Sequence, residues 1–203
     1  MKKQKKIIII VLVSVVALLA VLFVIMGISS LFSPKVNTVS LTGNTEVSLC
    51  PADYEEDIFS DKAYAQKQKE VFFTYDGDGE LLTAESYFFA NEAGKMFYNY
   101  FECVINGEYT VYPNFFSAEF KENAVLPERF TKQKLYDISV TLEARQPYEQ
   151  GYVETYSVRY RIMDNNGTFR ADLESNTVIP VYYTVYVTET SALITGMSVP
   201  TVK

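Results

Sequence analysis

Residues 136–145 read Tyr136-Asp137-Ile138-Ser139-Val140-Thr141-Leu142-Glu143-Ala144-Arg145 and alternate between an apolar and a polar series. Successive side chains of a β-strand point to opposite faces of its sheet, so this pattern predicts a strand with one covered face. We therefore expect Val140 and Leu142 to be buried and Thr141 and Glu143 to face solvent.

Three further segments extend this pattern towards the C-terminus. After a turn region at 146–151, one face of the next segment carries Tyr152, Tyr156, Val158, Tyr160 and Ile162. The segments 181–188 and 193–199 follow a polar connection that runs from 164 to 176. Four strands in series predict an antiparallel meander with one covered face.

A long amphipathic helix is predicted before these strands. Apolar residues recur at intervals of three and four from Phe89 to Val104, and Thr83 is placed to cap the helix. The pair Asn106-Gly107 predicts its end near Ile105. A helix that packs on its own sheet explains this apolar stripe better than a ligand-binding wall does. Shorter helices are predicted at 63–70, at 113–120 and from 131.

The segment 71–75 fits either a strand or a continuation of the preceding helix, and Asp76 to Gly79 ends it. These acidic residues suggest a calcium loop, which requires a glycine at its sixth position and a glutamate at its twelfth. Counted from Asp76, those positions hold Leu81 and Tyr87. The sequence therefore favours a plain turn, and we predict no metal site and no cofactor.

The N-terminus predicts a membrane anchor. Residues 1–6 carry four lysines, and 7–28 is an uncharged, almost wholly apolar run. About 20 apolar residues span a bilayer, whereas the apolar region of a cleaved signal is usually about 7–15 residues long. The basic tail places the N-terminus in the cytoplasm. We predict a cytoplasmic tail at 1–6, a transmembrane helix at 7–28, a linker at 29–57 and an extracytoplasmic domain at 58–203.

The composition excludes several classes of function. Beyond the first six residues, 14 basic residues face 25 acidic ones, a formal charge of −11 that disfavours nucleic acid as a ligand. The chain has no histidine, which removes Ser-His-Asp and Cys-His catalysis and histidine metal sites. Cys50 and Cys103 are its two cysteines. Outside the cell they form either a disulfide, or a free loop thiol and a buried small apolar residue.

The run from Met96 to Tyr109, Met-Phe-Tyr-Asn-Tyr-Phe-Glu-Cys-Val-Ile-Asn-Gly-Glu-Tyr, precedes a helix that contains Phe115-Phe116-Ser117. This order resembles the opening of NTF2-like (cystatin-like) domains, over about residues 83–200. The resemblance implies an α+β roll in which helices pack on a curved four-stranded antiparallel sheet. It also implies a pocket on the concave side, which Phe97, Tyr100, Tyr156 and Tyr160 would line. VirB8-type and TcpC-type subunits of conjugation machinery are similar in layout.

These observations favour a membrane-anchored, non-catalytic binding or assembly module with an envelope protein partner or a small ligand, such as a subunit of a secretion or conjugation complex. No catalytic residue carries over from the resemblance. One alternative is an enzyme with Asp164 or Glu154 as base and Tyr156 or Tyr160 as acid, because burial can raise the pKa of a carboxyl group towards neutrality. The other alternative is a structural spacer. The sequence leaves a homo-oligomer open.

Overall fold

The structure is a computed structural model that describes residues 47–199. The predicted tail, the predicted transmembrane helix at 7–28 and most of the predicted linker lie outside these residues. Among the residues that the structure does describe, no helix combines the length and the apolar character needed to cross a membrane.

The domain is α+β and is built on a mixed sheet of six strands in the order β2-β1-β3-β4-β5-β6. The strands are β1 (Val71–Tyr75), β2 (Asp78–Leu82), β3 (Lys134–Tyr148), β4 (Gly151–Met163), β5 (Val181–Val187) and β6 (Ala192–Ser198). Strand β1 runs parallel to β3, and the other neighbouring strands are antiparallel. The helices are α1 (Lys62–Ala65), α2 (Glu92–Asn106) and α3 (Ala118–Asn123).

The predicted four-stranded antiparallel sheet is wrong, because a hairpin that precedes the long helix adds two strands. Asp76 and Gly77 both have positive φ angles, of 51° and 91°. Such a two-residue turn matches the twist of paired strands and joins β1 to β2. The sequence of β2 is Asp-Gly-Glu-Leu-Leu, which does not alternate and therefore gives no strand signal.

Two register shifts in β3 decide which of its side chains reach the core. The first lies between Tyr136 and Ser139, where Asp137 has a φ of 50°. It leaves Leu135 opposite Ile162 on the core face, whereas Tyr136 lies opposite Arg161. An extra residue in one strand is a β-bulge, and it reverses the faces of the residues beyond it. The predicted face of β3 is therefore correct only between the two shifts.

The burial of Val140 confirms the central part of the predicted strand, since its side chain is fully covered. Leu142 was predicted to be buried but is only partly so, because the second register shift follows immediately. At this shift Leu142 pairs with Tyr156 and Ala144 with Thr155, so Glu143 is the extra residue. Glu143 is exposed, as predicted.

Helix α2 packs on the sheet and has nine buried residues, all of which except Gly94 belong to the hydrophobic core. It begins later than predicted: Asn91 caps it by accepting a hydrogen bond from the N–H of Gly94, at 2.7 Å. Thr83 instead lies before a separate short turn at Ser86–Phe88, where its hydroxyl group accepts a hydrogen bond from the N–H of Ser86 at 3.2 Å. The predicted end is confirmed, because Gly107 has a φ of 70° and a Cβ there would lie 2.8 Å from the Lys132 nitrogen.

The shorter predicted helices differ more from the structure. The segment predicted as one helix at 113–120 contains a short turn at Tyr112–Phe115 and the start of α3, whose cap is Ser117. The helix predicted from Thr131 is absent, because Thr131 lies in the loop that enters β3. Its hydroxyl group accepts hydrogen bonds from Gln133 and Asn166, which hold this loop against the loop that follows β4.

Candidate ligand-binding cleft

A cleft of about 600 Å³ opens where the sheet extends beyond the beginning of α2. Asn91 and Glu92, at the start of that helix, form one wall. Tyr75, Arg145 and Tyr152 come from three adjacent strands and form the floor. The rim lies at the β3–β4 turn and at the end of β5, and it consists of Pro147, Glu149, Gln150, Gly151, Val187, Thr188 and Glu189. We call this feature the Arg145 cleft.

Glu154 lies beneath this floor and is fully buried. Its Oε2 atom accepts a hydrogen bond from the Tyr156 hydroxyl at 2.5 Å. Its Oε1 atom accepts one from the Tyr75 hydroxyl at 2.9 Å and lies 3.2 Å from the Nε atom of Arg145. A buried carboxylate is costly unless it is paired and hydrogen-bonded. The two hydrogen bonds and the ion pair with Arg145 meet this requirement.

The second bulge in β3 brings Arg145 to this carboxylate. If β3 alternated strictly through Glu143, with no bulge, Arg145 would lie on the face opposite to Val140 and Leu142. The bulge shifts the register by one, so that Arg145 pairs directly with Glu154. Residues directly opposite each other in an antiparallel pair project to the same side of the sheet. The bulge therefore builds the charged part of the cleft floor.

Aromatic rings hold the guanidinium group of Arg145 in place. Its central carbon lies 3.9 Å from the ring centre of Tyr152 and 5.4 Å from that of Tyr75. Both distances are in the range of cation–π attraction. The Nη1 atom of Arg145 also lies 3.8 Å from the Asp76 carboxylate. The side chain is therefore held from several directions, although about a third of it remains exposed.

The two tyrosines on Glu154 remain protonated well above neutral pH. Burial, together with the hydrogen bond to the Glu154 carboxylate, raises the pKa of Tyr75 to about 12. The same two causes raise the pKa of Tyr156 much further above its ordinary value. In both cases the folded protein favours the neutral phenol. Each hydroxyl group therefore stays protonated while it donates a hydrogen bond to Glu154.

The four residues predicted to line a pocket do not line the Arg145 cleft. Phe97, Tyr100, Tyr156 and Tyr160 are all at most 2% exposed and belong to the core. The hydroxyl of Tyr100 lies 3.1 Å from that of Tyr112 and 3.0 Å from that of Tyr183. Helix α2 packs directly on this part of the sheet, so its aromatic residues belong to the core between the helix and the sheet.

Asp164, the other carboxylate considered as a base, lies at the opposite end of the β3–β4 pair. It accepts a hydrogen bond from Lys134 Nζ at 3.0 Å. The same ammonium group lies 2.8 Å from Glu56 and 2.9 Å from Asp61, so it joins three separate parts of the chain. Tyr160, the second acid considered, accepts a hydrogen bond from Arg170 at 2.8 Å. Of the two bases and two acids considered for an enzyme, the structure therefore brings only Glu154 and Tyr156 into contact.

Both cysteines are free thiols in the structure, so the disulfide is not formed. The Cys103 thiol is buried and donates to the carbonyl oxygen of Glu108 at 3.2 Å. Burial raises the pKa of Cys103 to about 12. Cys50 instead contacts the loop after β4, where its backbone N–H donates to the Asn165 oxygen at 2.8 Å.

A second, smaller hollow of about 240 Å³ lies at the other end of β1, near Val71 and Leu82. Its walls include Phe59, Phe101 and Glu102. Burial raises the pKa of the Glu102 carboxyl group, but no built network of donors surrounds it among the described residues. We therefore regard the Arg145 cleft as the better candidate.

The sequence contained a signal for Glu154 that periodicity alone could reveal. Glu154 stands between Tyr152 and Tyr156 in the series that faces the core, so its burial follows from the alternation of β4. The roles of Arg145 and Tyr75 had no such signal, because they depend on a bulge and on the pairing of a separate strand. No group of three or more potential metal-binding side chains occurs within residues 47–199.

No protein-family model, curated protein or solved structure shows a significant match to this chain.

Proposed function

We propose that this chain is a membrane-anchored, extracytoplasmic and non-catalytic binding module, and that the Arg145 cleft holds its ligand. The observation that carries this proposal is the buried Glu154 carboxylate beneath an open cleft, with its two tyrosine hydrogen bonds and its ion pair to Arg145. Such a network keeps Arg145 and Tyr75 in fixed positions before any ligand arrives, which lowers the entropic cost of binding. The ligand is a segment of an envelope protein or a small molecule.

The protonation of the network favours binding over acid–base catalysis. A general acid or base works best when its pKa lies near the operating pH. Tyr75 and Tyr156 have pKa values raised far above neutrality, so neither tyrosine releases a proton readily. Glu154 has both oxygens occupied by donors and is covered from solvent, so it is poorly placed to accept a proton from a substrate.

The location outside the cytoplasm rests on the sequence. The uncharged apolar run at 7–28 is long enough to anchor the chain, and the lysines before it favour a cytoplasmic N-terminus. The acidic character of the remaining chain fits a domain that stays clear of anionic lipid headgroups.

Photo-crosslinking in the intact cell envelope tests this proposal. A photoreactive amino acid replaces Gln150 on the cleft rim in one variant and the exposed Lys121 on α3 in a matched control. We expect a discrete adduct in the membrane fraction from position 150 and none from 121. Adducts of equal yield from both positions, or a protein that fractionates as soluble after alkaline extraction, would contradict the proposal.

A further inference from the structure

The two edges of the sheet differ in how they are covered. The β6 edge is protected, because Phe116 forms a parallel bridge with Ile194 and the N–H of Ser117 donates to the Ile194 oxygen at 2.9 Å. The β2 edge borders the loop that leads to α2 and has less cover: residues 78–81 are all exposed. An open edge presents backbone groups that can pair with another chain.

The geometry of the β1–β2 hairpin identifies these groups. Its two-residue turn makes Tyr75–Asp78, Phe73–Glu80 and Val71–Leu82 the hydrogen-bonded pairs. Gly79 and Leu81 therefore direct their backbone N–H and C=O groups away from β1. The Leu81 carbonyl accepts a hydrogen bond from the Ser86 hydroxyl at 2.9 Å. Within residues 47–199, the Leu81 N–H and both backbone groups of Gly79 have no hydrogen-bond partner.

The two faces of the edge have different chemistry. On the outer face, Phe72 pairs directly with Leu81, and the two side chains are 46% and 43% exposed. The ring of Phe72 also extends across Gly79, where an added Cβ would lie 2.6 Å from its Cζ atom. On the other face, Asp78 and Glu80 present exposed carboxylates that take part in no salt bridge among the described residues.

We propose that β2 accepts an extended segment of a partner protein as a seventh strand, and that this segment alternates basic and apolar residues. The alternation follows from the two faces, because neighbouring strands place their side chains side by side. The basic residues lie beside Asp78 and Glu80, and the apolar residues beside Phe72 and Leu81. The N–H and C=O groups of Gly79 and the N–H group of Leu81 supply the main-chain hydrogen bonds.

Charge decides between a partner protein and a second copy of this chain. If two copies paired through β2, Asp78 and Glu80 of each would face the same carboxylates of the other, and like charges on adjacent strands repel. A basic strand reverses the sign of this interaction. The edge site is separate from the Arg145 cleft and does not depend on the function proposed for that cleft.

Peptide binding to the full-length protein in phosphatidylcholine nanodiscs tests the inference. The probe is a fluorescein-labelled hexapeptide of alternating lysine and valine, and the matched control peptide has glutamate in place of lysine. We expect saturable binding of the lysine peptide, measured by fluorescence anisotropy, and much weaker binding of the glutamate peptide. Equal binding of the two peptides, or binding of neither, would overturn the proposal.

A pair of charge-reversal variants locates the site. Asp78→Lys/Glu80→Lys should weaken binding of the lysine peptide by about tenfold or more. The control Glu119→Lys/Glu122→Lys makes the same change in net charge on the exposed residues of α3 and should have little effect. A similar loss in both variants would show that only overall charge attracts the peptide, and the edge site would then be rejected.

Hydrogen exchange supplies an independent readout in the unaltered protein. Bound peptide should slow exchange at the Gly79 and Leu81 amides, whose N–H groups point away from β1. The Glu80 amide, already paired with β1, should change little. Binding without new protection at Gly79 and Leu81 would place the peptide elsewhere and refute strand addition.

Discussion

Replacing Glu154 with glutamine is the sharpest test of how the Arg145 cleft is built. The substitution keeps the size of the side chain but removes its charge and replaces one acceptor oxygen with an NH₂ donor. In the folded protein the hydroxyl groups of Tyr75 and Tyr156 donate hydrogen bonds to this carboxylate, and Arg145 forms an ion pair with it. The new amide must therefore face at least one donor that has lost its acceptor.

The size of the effect follows from these contacts. A hydrogen bond to a charged group contributes about 1.5–3 kcal/mol, and a buried unsatisfied group costs about 1–3 kcal/mol. The phenol hydroxyls can rotate to accept from the amide, and the partly exposed Arg145 can turn towards water, so the full sum is not lost. We expect Glu154→Gln to lower the free energy of unfolding by about 2–3 kcal/mol.

Urea unfolding of the chain without residues 1–34, followed by circular dichroism, measures this change. Truncation should leave a soluble, monomer-sized domain, because the acidic surface and the core both lie beyond the apolar run. Glu149→Gln is the matched control, since it makes the same chemical change at an exposed residue of the rim. The control should change the free energy of unfolding by less than about 0.5 kcal/mol.

Equal effects of the two substitutions would refute this reasoning. It would mean that the Glu154 carboxylate contributes no more to stability than a solvated one, so that the network could not hold Arg145 in place. Glu154→Gln can also be made in a protein that already carries Arg145→Ala. If it then lowers the free energy of unfolding by as much as it does in the unaltered protein, the stabilisation comes from the tyrosines alone.

Four further results are expected. Stability should fall as the pH rises from about 10 to 12, because the folded state binds the Tyr75 proton more tightly than the unfolded state does, and Tyr75→Phe should reduce that slope in alkaline melts. A maleimide should modify Cys50 much faster than the buried Cys103, whereas equal rates would show that Cys103 is accessible. Val140→Ala should destabilise the domain by about 2 kcal/mol in urea titrations, and a change near zero would contradict its burial. Mass measurement of the membrane fraction should find the run at 7–28 uncleaved, and a mature chain that begins after it would exclude the anchor.

Part of this fold was predictable because local patterns act through neighbouring residues. The end of α2 at Gly107 required only a residue that accepts a positive φ. The central face of β3 followed from a period of two, as did the burial of Tyr156, Val158, Tyr160 and Ile162 in β4. The burial of Glu154 was contained in that same period, although a charged residue favours the opposite interpretation when its partners are unknown.

The sequence by itself determined which segments have a face to bury and where the longest helix ends. Only the tertiary structure decided the six-stranded order, because β1 pairs with a strand some 65 residues away and β2 has no alternating pattern. It also decided the cleft. The bulge at Glu143 turns Arg145 towards Glu154, and the pairing of β1 with β3 brings Tyr75 to the same carboxylate. Both depend on how one strand pairs with another, and the spacing of residues within one strand does not encode that register.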